Sequence, residues 1–400
     1  MSVELERARK LEQFLDQDPT NTLLLKDIAV TYQAAGEHGK AYEFLGRLLP
    51  LSSDDPGLLN QIGELYLSLD HGEHAVEALE RANQIAPNDD NLLFNLGFSY
   101  FQIGQTEKAV EIFEKLTSQS PQSTEYYYFL ALAYDELGQD ERSKACLEQL
   151  LTLDPKHTQG QLLSALNDLQ AGDLDLSRGK TEHILQHQPN HLETLHLKAE
   201  IAFLDLDAQL AISTLRKAES IAPNDASTHL LLGQSLLMLQ RNKQAQRSFE
   251  TALKYDDQNL FAYLGNGWSA LLQDNVILAK EMYARAVEIA PNEPESHVGL
   301  SVVACYENNP ELALKNAEHA LSLNPEHVTA QCIVEALKQT NGNQTKSTDL
   351  LIKDILNNSK LQILDISVKD FITRYEASDT AKRVVQKKLR HARMSKSNRF

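Results

Sequence analysis

Prolines recur in this chain at a fixed interval, and that interval limits what the chain can fold into. Steps of 34 residues from Pro19 land on Pro19, Ser53, Pro87, Pro121, Pro155, Pro189, Pro223, Asp257, Pro291 and Pro325. Eight of these ten positions are proline, in a 400-residue chain with only 12 prolines, and no insertion or deletion interrupts the frame. A second column holds only small residues: Ala29, Gly63, Gly97, Ala131, Ala165, Ala199, Gly233, Gly267 and Ser301. A third does the same: Ala41, Ala75, Ala109, Ser143, Ser177, Ala211, Ala245, Ala279 and Ala313. A period of this length, held without slippage, describes units that stack on their neighbours rather than independent globular domains.

Within one unit the pattern is that of two helices. In NLGFSYFQIGQTEKAVEIFEKLTSQSP, residues 95–121, Leu96 and Tyr100 continue a stripe begun at Leu93, and Val110, Phe113 and Leu116 form another. Spacings of three and four place each stripe on one helix face. Gly104 stands where the first helix must stop, in a turn that favours a left-handed residue. Pro121 ends the second helix, because the residue before a proline is pushed out of helical conformation. The polar residues after each proline, such as Asn88-Asp89, Asn224-Asp225 and Asn292-Glu293, suit the start of the next helix. Gly97 and Ala109 then let the two backbones approach closely. Each unit reads as an antiparallel helix pair.

A 34-residue helix pair with this small–aromatic–small–proline punctuation resembles the tetratricopeptide repeat family. The resemblance covers residues 22–327 as nine units, beginning at Thr22, Pro56, Asp90, Thr124, Thr158, Leu192, Ala226, Leu260 and Pro294. The units at 56 and 90 match best, with Gly63, Tyr66, Ala75, Ala82 and Pro87, then Gly97, Tyr100, Ala109, Phe113 and Pro121. The unit at 158 departs most, with Asp168 at the aromatic position, Ser177 and Thr181, and reads as a local irregularity. The resemblance implies an all-α, right-handed superhelical solenoid whose first helices line a concave inner surface. Its ends need caps, since each pair buries its apolar face only against a neighbour. Residues 1–21, with Leu5, Ala8, Leu11, Phe14 and Leu15, read as an N-terminal capping helix. Residues 328–348 read as a partial tenth unit dissolving into a polar linker, and 349–400 as a C-terminal helical module with a basic tail.

Composition narrows the function classes. No apolar run approaches the length needed to cross a bilayer, and the charged start MSVELERARKLEQFL lacks the apolar core of a signal peptide. A cytoplasmic protein is the expectation. Cys146, Cys305 and Cys332 have no ligand-like spacing and read as apolar packing residues. The net charge of −18 disfavours the body as a nucleic-acid binder. The charge is uneven: Lys382, Arg383, Lys387, Lys388, Arg390, Arg393, Lys396 and Arg399 against Asp379 give residues 379–400 a charge of +7, leaving −25 on residues 1–378.

No Gly-rich phosphate loop, nucleophile elbow or H-E-x-x-H motif appears, so the expectation is no enzyme and no cofactor. HILQHQPNH contributes His183, His187 and His191, with His196 close behind. His183 and His187 are one helical turn apart, a spacing that can chelate, but Pro189 intervenes before the others; the expectation is ordinary polar positions and no metal. NQT at 343 and NNS at 357 read as polar linker.

Carrying the family's groove positions over residue by residue gives Asn91, Phe94, Asn95, Phe98, Phe101 and Gln102 in the unit at 90. The next gives Glu125, Tyr128, Phe129, Leu132, Asp135 and Glu136. The unit at 226 gives Leu230, Leu231, Gln234, Leu237 and Met238, and the unit at 260 gives Phe261, Leu264, the single tryptophan Trp268, Leu271 and Leu272. Such a groove would take an apolar or amphipathic segment of a client protein. Part of the same stripe also suits packing between successive first helices. The two-carboxylate clamp of chaperone-binding members is not matched: Lys26 fits its first position, but Val30, Gln61, Asn91 and Asn95 occupy the other four.

In the C-terminal module Leu361, Leu364, Val368, Phe371 and Tyr375 form a helical seam, followed by cations interspersed with Val384, Val385 and Leu389. It reads as a cap on the last repeat, a self-association helix, or a contact for an anionic partner such as a membrane surface, nucleic acid or the acidic body of another copy. The expected function is a non-enzymatic scaffold that holds a client protein in its groove. The alternative is a structural assembly subunit, homo-oligomeric through its terminal helices. No small-molecule substrate is expected.

Overall fold

The computed structural model describes residues 3–52 and 55–339; the C-terminal seam and basic tail lie outside the described residues. The described chain is helical, without a strand, and its helices follow one another as antiparallel pairs. An opening helix, α1 (Val3–Leu15), packs on α2 (Thr22–Ala34), which pairs with α3 (His38–Leu48). There follow α4 (Pro56–Ser68) with α5 (Gly72–Ile85), α6 (Asp90–Gln102) with α7 (Thr106–Gln119), and α8 (Thr124–Glu136) with α9 (Asp140–Leu153). Next come α10 (Thr158–Ala171), α11 (Leu174–His187), α12 (Leu192–Leu204) with α13 (Ala208–Ile221), and α14 (Ala226–Met238) with α15 (Asn242–Tyr255). The last are α16 (Leu260–Leu271) with α17 (Val276–Ile289), α18 (Pro294–Tyr306) with α19 (Pro310–Leu323), and α20 (Val328–Gln339). First helices begin where the sequence places the unit starts.

The chain divides into two compact units, Met1–Gln161 and Leu162–Phe400, called here unit 1 and unit 2. The division falls inside α10, the first helix of the repeat that departs most from the pattern. There Asp168 takes the aromatic position and forms an ion pair with Lys180 at 2.6 Å.

The helix boundaries have local causes that repeat with the period. Asn21, Asp55, Asp89, Asp225 and Asn259 cap first helices, each side-chain oxygen accepting from the backbone N–H three residues on. Each first helix ends in a left-handed residue: Gly36, Gly104, Gly138 and Gly172, but also Asp70, Leu206, Gln240, Asp274 and Asn308. The next N–H returns to the carbonyl five residues back, as from Gln105 to Tyr100 at 2.9 Å and from Arg241 to Leu236 at 3.0 Å. This closes the turn and satisfies carbonyls the helix end would otherwise leave open. A non-glycine residue here costs about 1–2 kcal/mol, so five turns are held against that cost by packing on either side.

The small columns lie where helices approach closely. A Cβ on Gly97 of α6 would stand 3.0 Å from Phe113 of α7. In unit 2 the Phe249 ring of α15 lies between Gly233 of α14 and Gly265 of α16, both of which would bring a Cβ to about 2.6 Å or less from it. One second helix therefore locks onto two successive first helices through a single ring.

Of the residues expected to bury α1, Ala8 and Leu15 are buried, but Phe14 is 58% exposed. The helix packs on α2, and Glu12 accepts a hydrogen bond from the Tyr32 hydroxyl at 2.7 Å.

Candidate partner-binding face

In unit 1 the face formed by the first helices begins polar. Lys26 of α2 donates to Gln61 of α4 at 3.1 Å, and Gln33 donates to Ser68. Asn95 of α6 donates to Asn60 at 3.0 Å and to Glu64 at 2.9 Å, both on α4. These bonds link residues one repeat apart, so they recur along the face as a ladder. Asn95 is thereby committed to holding two first helices together, while Asn91 stays exposed.

The ladder gives way to an aromatic cluster on α6 and α8. Phe94 and Phe98 stack with ring centroids 6.5 Å apart, and Phe129 meets their edges at 5.2 and 5.5 Å. Tyr128 adjoins Phe129 at 5.5 Å, and Tyr126 adjoins Phe94 at 5.8 Å. All five rings are half-buried, as is Phe101. Their floor is Phe113 of α7, fully buried and 6.2 and 5.9 Å from Phe94 and Phe129. Each such pair adds about 0.5–1.5 kcal/mol beyond area burial, so the inner halves of Phe94 and Phe129 are structural while the outer halves remain open. Tyr126 is absent from the groove positions read from the sequence; its place beside Phe94 arises across the α6–α8 contact. Asp135, also on α8, is half-buried; burial, with Asp140 nearby, pushes its carboxyl up to about 6.

Unit 2 treats the same positions differently. Leu230, Leu231, Leu264 and Trp268 are buried in one core cluster, and Phe261 packs against it, half-buried. The whole of α14 from Thr228 to Met238 is buried, as is α16 from Ala262 to Leu271. The unit 2 half of the expected groove is closed to solvent.

The four histidines do not converge. His183 and His187 are exposed on α11, their rings 4.9 Å apart. His191 instead bonds Thr194 at 2.8 Å, and buried His196 of α12 bonds Thr228 of α14 at 2.7 Å, beside Asp225 at 3.3 Å. Burial alone would push the Asp225 carboxyl up, but hydrogen bonds from His196 and Thr228 outweigh it and hold the group well below the usual carboxylate range. The arrangement clamps α12 to α14. Among the described residues no group of three or more His, Cys, Asp or Glu side chains could hold a metal ion. Cys146 and Cys305 are buried, and Cys332 is exposed. Among the described residues no helix is long and apolar enough to cross a membrane.

Comparison with known proteins agrees with the repeat geometry. Family models described as tetratricopeptide repeat match residues 66–133, 124–157 and 230–294, taking in parts of both units. The chain belongs to the tetratricopeptide repeat family. Among solved structures, the human IFIT1 dimer with PPP-AAAA aligns over 98% of this chain and 95% of its own, with a TM-score of 0.53 and 15% identity. A monomeric IFIT1 mutant with Gppp-AAAA aligns to the same extent. PilF of Pseudomonas aeruginosa aligns over 52% of this chain and 95% of its own, with a TM-score of 0.48 and 17% identity. At 15% identity the likeness to IFIT1 is one of fold alone. No curated protein matches the chain in sequence.

Proposed function

We propose that this tetratricopeptide repeat protein is a non-enzymatic scaffold whose unit 1 face holds an amphipathic segment of a client protein. Tetratricopeptide repeats are in general protein–protein interaction modules, and no enzymatic family matches the chain. The supporting observation is the half-buried aromatic cluster of Phe94, Phe98, Tyr126, Tyr128 and Phe129 set beside the polar ladder of Lys26, Asn60, Gln61 and Asn95. Aromatic side chains lose little entropy on contact and supply most of the energy where they are buried. A client helix with an apolar stripe and a polar edge would match both halves of the face. Asn91, Phe98 and Phe101 are the residues proposed for first contact; Phe94 and Phe129 carry part of the core and contribute their outer faces.

The test is capture of proteins from native cells by the wild type beside a Phe98→Ala/Tyr128→Ala variant of equal helicity. A photo-crosslinker at position 98 then identifies what touches the face. Proteins retained by the wild type alone and crosslinked at position 98 would support the reading. Equal retention by both forms would refute it, and a change of oligomer size in the variant would point to self-assembly through this face instead.

A further inference from the structure

We infer that the segment held by the unit 1 face is cationic: an amphipathic helix whose apolar stripe is flanked by arginine or lysine. This rests on the reading above and adds the charge of the partner that the aromatic cluster receives. Helical register is the first observation. At about 100° per residue, Glu125, Tyr128, Phe129, Leu132, Asp135 and Glu136 of α8 share one side of the helix, opposite buried Leu130 and Tyr134. The rings therefore stand among three carboxylates, of which Glu125 and Glu136 are exposed and Asp135 is half-buried. Glu64 of α4 belongs to the same face, since it accepts from Asn95 of α6 at 2.9 Å. Asp27, exposed, holds on α2 the place that Asn95 holds on α6. Lys26 is the one cation at these places on α2, α4, α6 and α8, and its ammonium donates to Gln61 at 3.1 Å.

The five carboxylates have no cation of their own. Among the described residues none of Asp27, Glu64, Glu125, Asp135 and Glu136 forms an ion pair. The charged neighbour of Asp135 is another carboxylate, Asp140, so a cation brought beside it favours its charged form. The rings supply an independent observation. Elsewhere in unit 1 the chain places its own cations over its rings: Lys40, Lys108 and Arg142 lie 4.8, 4.9 and 4.5 Å from the ring centres of Tyr32, Tyr100 and Tyr134. Among the described residues no cation lies over Phe94, Phe98, Tyr128 or Phe129. An aromatic face attracts a cation through its negative π surface. Rings and carboxylates on one side of α6 and α8 thus select the same partner: aliphatic side chains for the ring cluster, and arginine or lysine for its acidic border. First helices spaced by about 8–10 Å make the α4–α8 face about 20 Å wide, the length of about 14 helical residues.

The experiment measures binding of three synthetic 18-residue helical peptides to the full-length protein by fluorescence anisotropy. The peptides share one leucine stripe and differ only in its flanks, which are arginine, glutamine or glutamate. The arginine peptide should bind at least tenfold tighter than the glutamine peptide, and the glutamate peptide weakest. Glu125→Gln/Glu136→Gln, two exposed changes, should bring the arginine and glutamine peptides within threefold of each other. Glu107→Gln/Glu111→Gln on α7 alters the net charge equally and should leave the tenfold preference intact. Phe98→Ala/Tyr128→Ala, matched to wild type in helicity by circular dichroism, should weaken both the arginine and the glutamine peptide. Equal binding of these two peptides by the wild type, with both lost in Phe98→Ala/Tyr128→Ala, would overturn the cationic partner and leave the aromatic face standing. Undiminished binding of the arginine peptide by Phe98→Ala/Tyr128→Ala would overturn both, assigning the attraction to the protein's overall negative charge.

Discussion

Helices α6 and α14 occupy the same place in their repeats and share the small residue, Gly97 or Gly233, that seats a ring of the following helix. Yet α6 leaves Asn91 and Gln102 exposed and four more groove positions half-buried, whereas α14 is buried through every residue from Thr228 to Met238. The rings are also distributed differently. Unit 1 keeps a tyrosine column, Tyr32, Tyr66, Tyr100 and Tyr134, with Lys40, Lys108 and Arg142 placed over three of these rings. At the matching positions unit 2 has Asp168, Ala202, Leu236, Ala270 and Ala304. The position held by Phe129 in α8 is Gly265 in α16 and Gly299 in α18, where Phe249 and Tyr283 fill the space instead. A common period therefore permits two kinds of face: one whose rings are half-buried, and one whose groove positions are almost wholly buried.

The largest effect that would break this comparison is at Trp268. Trp268→Ala should destabilise unit 2 by about 3–5 kcal/mol, read as a lower urea midpoint by circular dichroism, whereas half-buried Phe98→Ala should cost about 1 kcal/mol. Equal costs would mean that the two faces are equally buried in solution. Gly265→Val forces a side chain into the Phe249 ring, and a loss of about 2–3 kcal/mol is expected, measured by the same unfolding curve.

Two carboxylates sharpen the contrast through opposite pH dependences. Asp135 of unit 1 has its pKa raised from 3.8 to about 6, so the folded state binds the proton more tightly than the unfolded one. Its charge destabilises the fold above about pH 6, and stability is regained as pH falls from 6 towards 4. Asp135→Asn should add on the order of 2 kcal/mol at pH 7, with the gain vanishing near pH 4 in a series of urea midpoints. Asp225 of unit 2 has a depressed pKa, so its stabilisation is present above about pH 4 and is lost as pH falls further. Asp225→Asn should therefore cost stability at pH 7 and nothing in strong acid. The smallest expected effect is at Leu206, 55% exposed and left-handed with φ 64°. Leu206→Gly should stabilise by about 1 kcal/mol, seen as a rise in Tm.

Much of the architecture was legible in the sequence because its causes are local. Pro19 and its successors stop helices through the residue before them, Asp89 and Asp225 cap through their own side chains, and Gly97 marks a close approach through its missing Cβ. The left-handed turn was legible at Gly104 but not at Leu206 or Gln240, where no residue type announces it and only the closed turn shows it. The candidate face was half legible. The spacing that brings Phe94 and Phe98 to one side of α6 is local, but Tyr126 joins them only because α8 lies alongside, and Asn95 turns out to belong to the ladder with Asn60 and Glu64. Groove spacing also gave Trp268 the same standing as Phe98, since periodicity reports which way a side chain points and not what lies in front of it.

By itself, then, the sequence determined the repeat, the pairing of helices and the boundaries of nearly every element, because a 34-residue period repeats the same short-range steric and hydrogen-bonding rules in each unit. Tertiary structure decided which inner faces stay open. Burial is a property of everything that converges on a side chain, and what converges on Trp268 differs from what converges on Phe98 although their places in the repeat are alike.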